Sequence, residues 1–375
     1  MCSGFPHVYL DNGANTRLII SSTIVSNYRH SAHVPVDLKQ NLDSSPAGAP
    51  DPANPLTNFA ALRAQLRTRI IGQEALIDRL IIALLSDGHL LVEGAPGLAK
   101  TTAIKELAER VEGDFHRVQF TPDLLPADLT GTEVYRPQDG SFHFQKGPIF
   151  HNLLLADEIN RAPAKVQSAL LEAMGERQVT VGRQTYALPE LFMVMATQNP
   201  IEQEGTYPLP EAQLDRFLMY VRIDYPAADA EHAILQLNRE TAMREANHVG
   251  SPTTPVLNAE AVFRARRDCL LLHLAPAVER YIVELVLATR DASRYREELG
   301  RWVSYGASPR ATIALDRCSR AHAWINGRDY VSPEDVQAIA HDVLRHRVLI
   351  SFEAEADGMD ADAVISELLK LVPVP

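Results

Sequence analysis

Residues 94–101 read Gly-Ala-Pro-Gly-Leu-Ala-Lys-Thr, set between a short apolar run at 90–93 and a helical segment that opens at Lys100. No other stretch constrains the fold as tightly. Glycines at 94 and 97 let the backbone fold around an anion, so that successive N–H groups converge on it. A helix starting at Lys100 adds its free N–H groups and the positive end of its dipole. Lys100 supplies a fixed cation for the β- and γ-phosphates of a nucleotide, and the Thr101 hydroxyl supplies a ligand for Mg²⁺. Such a loop has to be delivered by a strand and received by a helix. Position 99 departs from the general pattern, which places Gly directly before the Lys. A methyl group is tolerable at Ala99 if the backbone there is already helical.

The flanking sequence repeats the strand-then-helix order. Apolar runs at 90–93, 115–120, 153–157, 191–197 and 218–223 read as strands. Helical stripes fall at 58–69, capped by Thr57 or Asn58, and at 73–86, 100–110, 164–175 and 211–216. Apolar strands alternating with helices predict an α/β fold with a parallel sheet covered by helices on both faces. Two segments interrupt the alternation and read as hairpins, 132–145 and 178–188. Both are extra to a minimal sheet, which makes them candidates for contacting a partner. From about residue 226 helical stripes dominate, at 259–269, 276–289, 309–325, 333–345 and 360–371, and no convincing strand follows. Residues 1–56 lack periodicity and end in a stretch rich in Pro, Ala, Ser, Asp and Asn, the composition of a flexible leader. The expected organisation is a leader at 1–56, an α/β nucleotide-binding core at 57–225 and an all-helical domain at 226–375.

Charge narrows the partners. Lys and Arg total 36 against 48 Asp and Glu, a net charge of −12. A surface this acidic argues against unaided binding to nucleic acid or anionic membranes. The three cysteines, at 2, 269 and 318, form neither a disulfide framework nor a metal cluster, and the reducing cytoplasm is the expected compartment. The thirteen histidines stand singly, without ligand spacing. No apolar run reaches the roughly 20 residues needed to span a bilayer.

Asp157-Glu158 closes the apolar run Leu153-Leu154-Leu155-Ala156. Acids at the C-terminal end of a strand sit where open α/β folds bind ligands. Downstream of a phosphate loop, Asp157 is placed to hold Mg²⁺ through water, and Glu158 to act as general base on the attacking water.

These residues carry a resemblance. The chain resembles an AAA+ ATPase of the MoxR family, through Ile71-Gly-Gln-Glu74, Gly94–Thr101, Leu154-Leu-Ala-Asp-Glu-Ile-Asn-Arg-Ala-Pro163, Ala196-Thr-Gln-Asn-Pro200, Leu209-Pro-Glu-Ala-Gln-Leu-Asp-Arg-Phe217 and Gly306-Ala-Ser-Pro-Arg310. In that family Ala before the Lys is habitual, and the helical domain is a lid. The resemblance implies that ATP is held by Gly94, Ala95, Pro96, Gly97, Leu98, Ala99, Lys100, Thr101 and Thr102, with Ile70, Ile71 and Gly72 against adenine. Mg²⁺ would be held by Thr101 directly and by Asp157 through water. Asn199 matches the residue that orients attacking water, and an amide can both donate to phosphate and accept from water. Arg216 matches an arginine finger that reaches a neighbouring subunit's ATP, and Arg310 a lid arginine that contacts the γ-phosphate. The resemblance further implies a homo-oligomer, a hexameric ring with the hairpins facing the pore or the partner. It implies chaperone-like work on a protein client, in metal or cofactor insertion or complex assembly, alongside a partner carrying a von Willebrand factor A domain. An AAA+ motor on nucleic acid and a non-hydrolysing nucleotide switch are the competing readings.

Overall fold

A computed structural model describes residues 54–138, 140–200, 205–246 and 255–375. The expected leader lies outside the described residues except for its last three. Those three open the first helix, α1 (Pro55–Arg69), whose N-terminus is capped by Asn54: its side chain accepts from the Leu56 N–H at 3.1 Å. The cap expected at Thr57 or Asn58 is corrected. Proline's fixed φ and missing N–H suit the first helical position, so Asn-Pro starts the helix early, and Asn58 is buried inside it.

The chain continues through α2 (Glu74–Leu85), β1 (Leu90–Glu93), α3 (Lys100–Ala108), β2 (Phe115–Gln119), α4 (Pro126–Thr130), β3 (Gly131–Arg136) and β4 (Ser141–Lys146). Then come β5 (Leu153–Asp157), α5 (Ala164–Glu176), β6 (Gln178–Val181), β7 (Gln184–Ala187), β8 (Met193–Gln198), α6 (Glu211–Leu214) and β9 (Met219–Arg222). Five of these strands form one parallel sheet in the order β2-β5-β8-β1-β9. The central strands are near-continuous apolar runs because both of their faces are covered. Successive side chains alternate between those faces. Leu154, Ala156, Val194 and Ala196 join the cluster under α5, while Leu153, Leu155, Met193 and Met195 join the cluster on the other side. The two expected hairpins are β3–β4 and β6–β7, both antiparallel.

The helical region comprises α7 (Ala228–Ala246), α8 (Ala259–Leu271), α9 (Pro276–Arg290), α10 (Glu297–Trp302), α11 (Pro309–Ile325), α12 (Pro333–Leu344), α13 (Phe352–Ala356) and α14 (Ala361–Leu371). Two very short strand pairings tie its loops together: His273–Leu274 runs parallel to Tyr330–Val331, and Val303–Tyr305 antiparallel to Leu349–Ile350. These are additions to the helical plan, too short to show in sequence periodicity. The lid helices do not form a separate core. One continuous apolar cluster runs from Leu90, Val92 and Met195 in the sheet, through Leu62, Ile77 and Leu80, to Leu315, Val336 and Val343 in the lid. Among the described residues no helix is long and apolar enough to cross a membrane.

Candidate phosphate-binding site

The parallel sheet puts the C-terminal ends of β1, β5 and β8 side by side, and the residues singled out in the sequence gather there. β1 delivers the loop and α3 receives it. Gly97 has φ +85°, which a residue with a side chain adopts only under strain. Ala99 has φ 58° and ψ 18°, so the expectation of a helical backbone at this position is corrected. The left-handed conformation costs an L-residue roughly 1–2 kcal/mol, which is why glycine is the general solution here. The helix begins only at the next residue, with Ala103 N–H donating to Ala99 O at 2.8 Å. The Lys100 ammonium folds back to donate to Gly94 O and, at 3.3 Å, to Gln198 O. It therefore spans the mouth of the loop between β1 and β8.

Asp157 ends β5 and is 7% exposed. Its Oδ1 accepts from Thr197 Oγ1 at 2.6 Å, and its Oδ2 accepts from Arg117 Nε and Nη2 at 3.1 and 2.7 Å. Glu158 follows in a left-handed conformation, φ 56°. Its N–H donates to the same Thr197 hydroxyl at 2.9 Å, so Thr197 links the two acids. Gln119 Nε2 and Arg161 Nη1 donate to Glu158 Oε2 at 2.7 and 3.0 Å. A strained backbone held by this many bonds fixes where the carboxylate points. Arg117, Gln119 and Thr197 were missed from sequence, and Arg161 had no assigned role. The signal for Arg117 and Gln119 lies in spacing: polar residues two apart share one face of β2, and Gln119 is in register with Asp157.

A cavity of about 750 Å³ opens over the loop. That volume lies within the usual range for small-molecule sites. The loop and the strand ends contribute Pro96 to Thr102, Asp157, Glu158, Thr197 and the buried Asn199 to its lining. Ile71, Gln73, Tyr225 and Pro226 also line it, and α7 adds Glu231, Ile234, Leu237, Asn238 and Thr241. Of the expected base contacts only Ile71 lines the cavity. Ile70 is fully buried in the core, and Gly72 packs beneath Pro226 and Ala230 at the start of α7. Gly94 and Ala95 shape the loop from behind rather than lining it. The α7 wall was not foreseen. The donor set around the loop fits a nucleoside triphosphate, and Thr101 and Asp157 both line the cavity, where they would hold Mg²⁺.

Arg216 and Arg310 are not in this cavity. Both line a second cleft that shares no residue with it. Arg216 Nη1 donates to Leu171 O at 2.8 Å, over Gly175, where any Cβ would overlap the guanidinium. Arg310 pairs with Asp215 Oδ2 at 3.4 Å. Within one chain Arg310 therefore stands apart from the cavity over the loop. Ser308 caps α11 and also donates to Asp215 at 2.8 Å, which ties this helix end to the Arg216 turn.

Fold and site together define a P-loop nucleotide-binding core with a helical lid. Comparison with known proteins narrows the class. Residues 89–219 match the family described as ATPase family associated with various cellular activities (AAA), and residues 301–368 match the AAA lid domain. The chain is 42% identical to Chaperone MoxR1 of Mycobacterium tuberculosis, over 89% of this chain and 86% of the relative. It is 32% identical to Protein MoxR of Paracoccus denitrificans, over 84% of this chain and 96% of the relative. A solved structure from Cytophaga hutchinsonii superposes with a TM-score of 0.78 at 44% identity, covering 86% of this chain and 96% of that one. The chain belongs to the MoxR family of AAA+ ATPases.

Proposed function

We propose that this protein hydrolyses ATP with Mg²⁺ at a site completed between subunits of a ring, and couples the turnover to remodelling of a protein client. One observation carries the reading: a single cavity gathers Lys100, Thr101, Asp157, Glu158 and Asn199, while Arg216 and Arg310 line a separate cleft. Loop N–H groups and Lys100 bind the β- and γ-phosphates. Thr101 and, through water, Asp157 would hold the metal, which would supply charge to offset that developing on the phosphoryl oxygens. Asn199 orients a water, and Glu158 accepts its proton. Arg216 and Arg310, out of reach of their own cavity, are donated to a neighbouring copy, where a planar cation stabilises the transition state. The hexameric ring, the hairpins as client or partner contacts, a von Willebrand factor A domain partner and work in the cytoplasm on metal or cofactor insertion or complex assembly belong to this same reading. It is supported by the family and by the name of the chaperone relative. The net charge of −12 favours a protein client over nucleic acid.

The test is phosphate release by purified protein with Mg²⁺ and ATP. Lys100→Ala abolishes ATP binding, whereas Glu158→Gln keeps it and lowers kcat by at least about a hundredfold, the lower end of the range for a general base. No phosphate release from the wild type leaves a nucleotide switch as the better reading. Retained binding in Lys100→Ala sinks the loop assignment.

A further inference from the structure

Arg347 has no part in the chemistry above, yet its guanidinium donates five hydrogen bonds. It lies just beyond α12, with its side chain 2% exposed. Its Nε donates to Asp215 Oδ1 at 2.8 Å, Nη1 to Leu218 O at 3.2 Å and to Val343 O, and Nη2 to Asp215 O at 3.2 Å and Phe217 O at 2.6 Å. One guanidinium therefore holds the carbonyls on either side of Arg216 and the side chain of the residue before it. Asp215 passes the restraint on: its other oxygen accepts from Ser308 Oγ and Arg310 Nη1. The neighbouring His346 and Arg345 reach Phe217 O at 3.2 Å and Tyr220 O at 2.6 Å, so the lid grips the turn and the start of β9 together.

Joining lid to core does not require a buried cation. Apolar residues of similar volume are often as stable or more so, because burying the charge carries a desolvation penalty. What a guanidinium adds is five N–H donors in a rigid plane, able to fix several acceptors at once. The acceptors here belong to the turn that presents Arg216. Misplacing a transition-state contact by about 1 Å can lower a rate a hundredfold.

We propose that Arg347 is a positioning residue for Arg216: the lid uses it to lock the 215–218 turn, so that Arg216 and Arg310 are presented to the adjoining subunit as one fixed pair. This rests on the reading of Arg216 as an arginine that acts in trans.

The experiment compares Arg347→Lys, Asp215→Asn and Arg216→Ala with the wild-type oligomer. It reads kcat, KM, the Kd for ATP, oligomer size and rescue on mixing with Lys100→Ala subunits. Lys keeps the buried charge but cannot span the three carbonyls of the turn, those of Asp215, Phe217 and Leu218. Arg347→Lys is expected to lower kcat at least tenfold, with KM and Kd within twofold. Mixing should restore activity, because an intact loop in the Arg347→Lys subunit then faces an intact Arg216 in its neighbour. An unchanged kcat overturns the proposal, as does a loss that falls on Kd or that mixing does not rescue. Should Arg347→Lys fail to fold, Asp215→Asn decides: it keeps the carbonyl contacts and shape while removing the ion pair, and a wild-type kcat there overturns the proposal equally. If Arg216→Ala itself turns over at the wild-type rate, it is the reading of Arg216 that fails. A defective Arg216→Ala beside a normal Arg347→Lys isolates the failure to this inference.

Discussion

Ala99 shows how much the phosphate loop depends on a single methyl group. At φ 58° the residue sits in the small left-handed region, where Cβ crowds the following carbonyl. Alanine tolerates this at a cost of roughly 1–2 kcal/mol. Replacing it with glycine removes the strain but gives the unfolded chain more freedom, a counter-term of about 0.4–1 kcal/mol. Ala99→Gly is therefore expected to leave stability unchanged or raise it by up to about 1.5 kcal/mol in urea denaturation, and to bind ATP normally. A β-branched side chain has no such escape, being a genuine outlier at positive φ. Ala99→Val should distort the loop and weaken ATP binding by tenfold or more in a nucleotide titration. Equal affinity in Ala99→Val and the wild type would mean that the left-handed turn is not required for binding. Glu158 shares the conformation, and there the strain holds the acid against Thr197 and Gln119.

At the scale of elements, α5 explains where Arg216 can lie. Gly175, in the helix's last turn, leaves room for the guanidinium on its way to Leu171 O. A Cβ there overlaps only the far end of a flexible side chain, so Gly175→Ala should fold with unchanged or slightly raised stability, alanine being the better helix former. The arginine must move instead. The expected outcome is a lower kcat with ATP affinity intact, measured on the assembled oligomer; full activity would show that the Leu171 contact is dispensable. The same scale shows what sequence could and could not supply. β1 and β5 were legible to the residue, because buried parallel strands are unbroken apolar runs ended by a glycine loop or an acid. The loop, Asp157, Glu158 and Asn199 were legible because their chemistry sits next to those strand ends. Helix α7 was not, since Ile234 and Leu237 face a ligand-sized cavity and Leu235 and Met243 are exposed, leaving no core-facing stripe. Nor were Arg117 and Gln119, whose role depends on which strand pairs with β2. The cleft that Arg310 faces was not legible for a related reason: a motif gives a residue type at a helix start, whereas that cleft is set by how Ser308 and Asp215 join the helix to the core.

For the whole molecule, the apolar core shared between sheet and lid makes buried polar groups at its joints sensitive to pH. His89 lies between α5 and the sheet: Val194 N–H donates to its Nδ1 at 3.0 Å, and Nε2 faces Met174 O at 3.4 Å. Complete burial pushes its pKa down to about 4, with nearby Arg177 and Arg266 adding in the same direction. His346, at the lid joint against Phe217 O, is held well below the usual range by burial and then by Arg347. Both rings are neutral when folded, while the unfolded chain takes up protons near pH 6.5. Where the unfolded state binds more protons, stability rises with pH, so it must fall as pH drops from about 6.5 toward 4. For His89 alone the loss between pH 7 and pH 5 is about 2 kcal/mol, from 1.36 kcal/mol per pKa unit. Urea unfolding midpoints measured across that interval should decline, with His346 adding to the slope. His89→Gln offers an acceptor and a donor that stay neutral at every pH in the window. It should lower stability at pH 7 through imperfect fit yet flatten the acid slope. An acid limb equally steep in His89→Gln would assign the pH dependence elsewhere, and a stability that rises on acidification would contradict neutral burial of both rings.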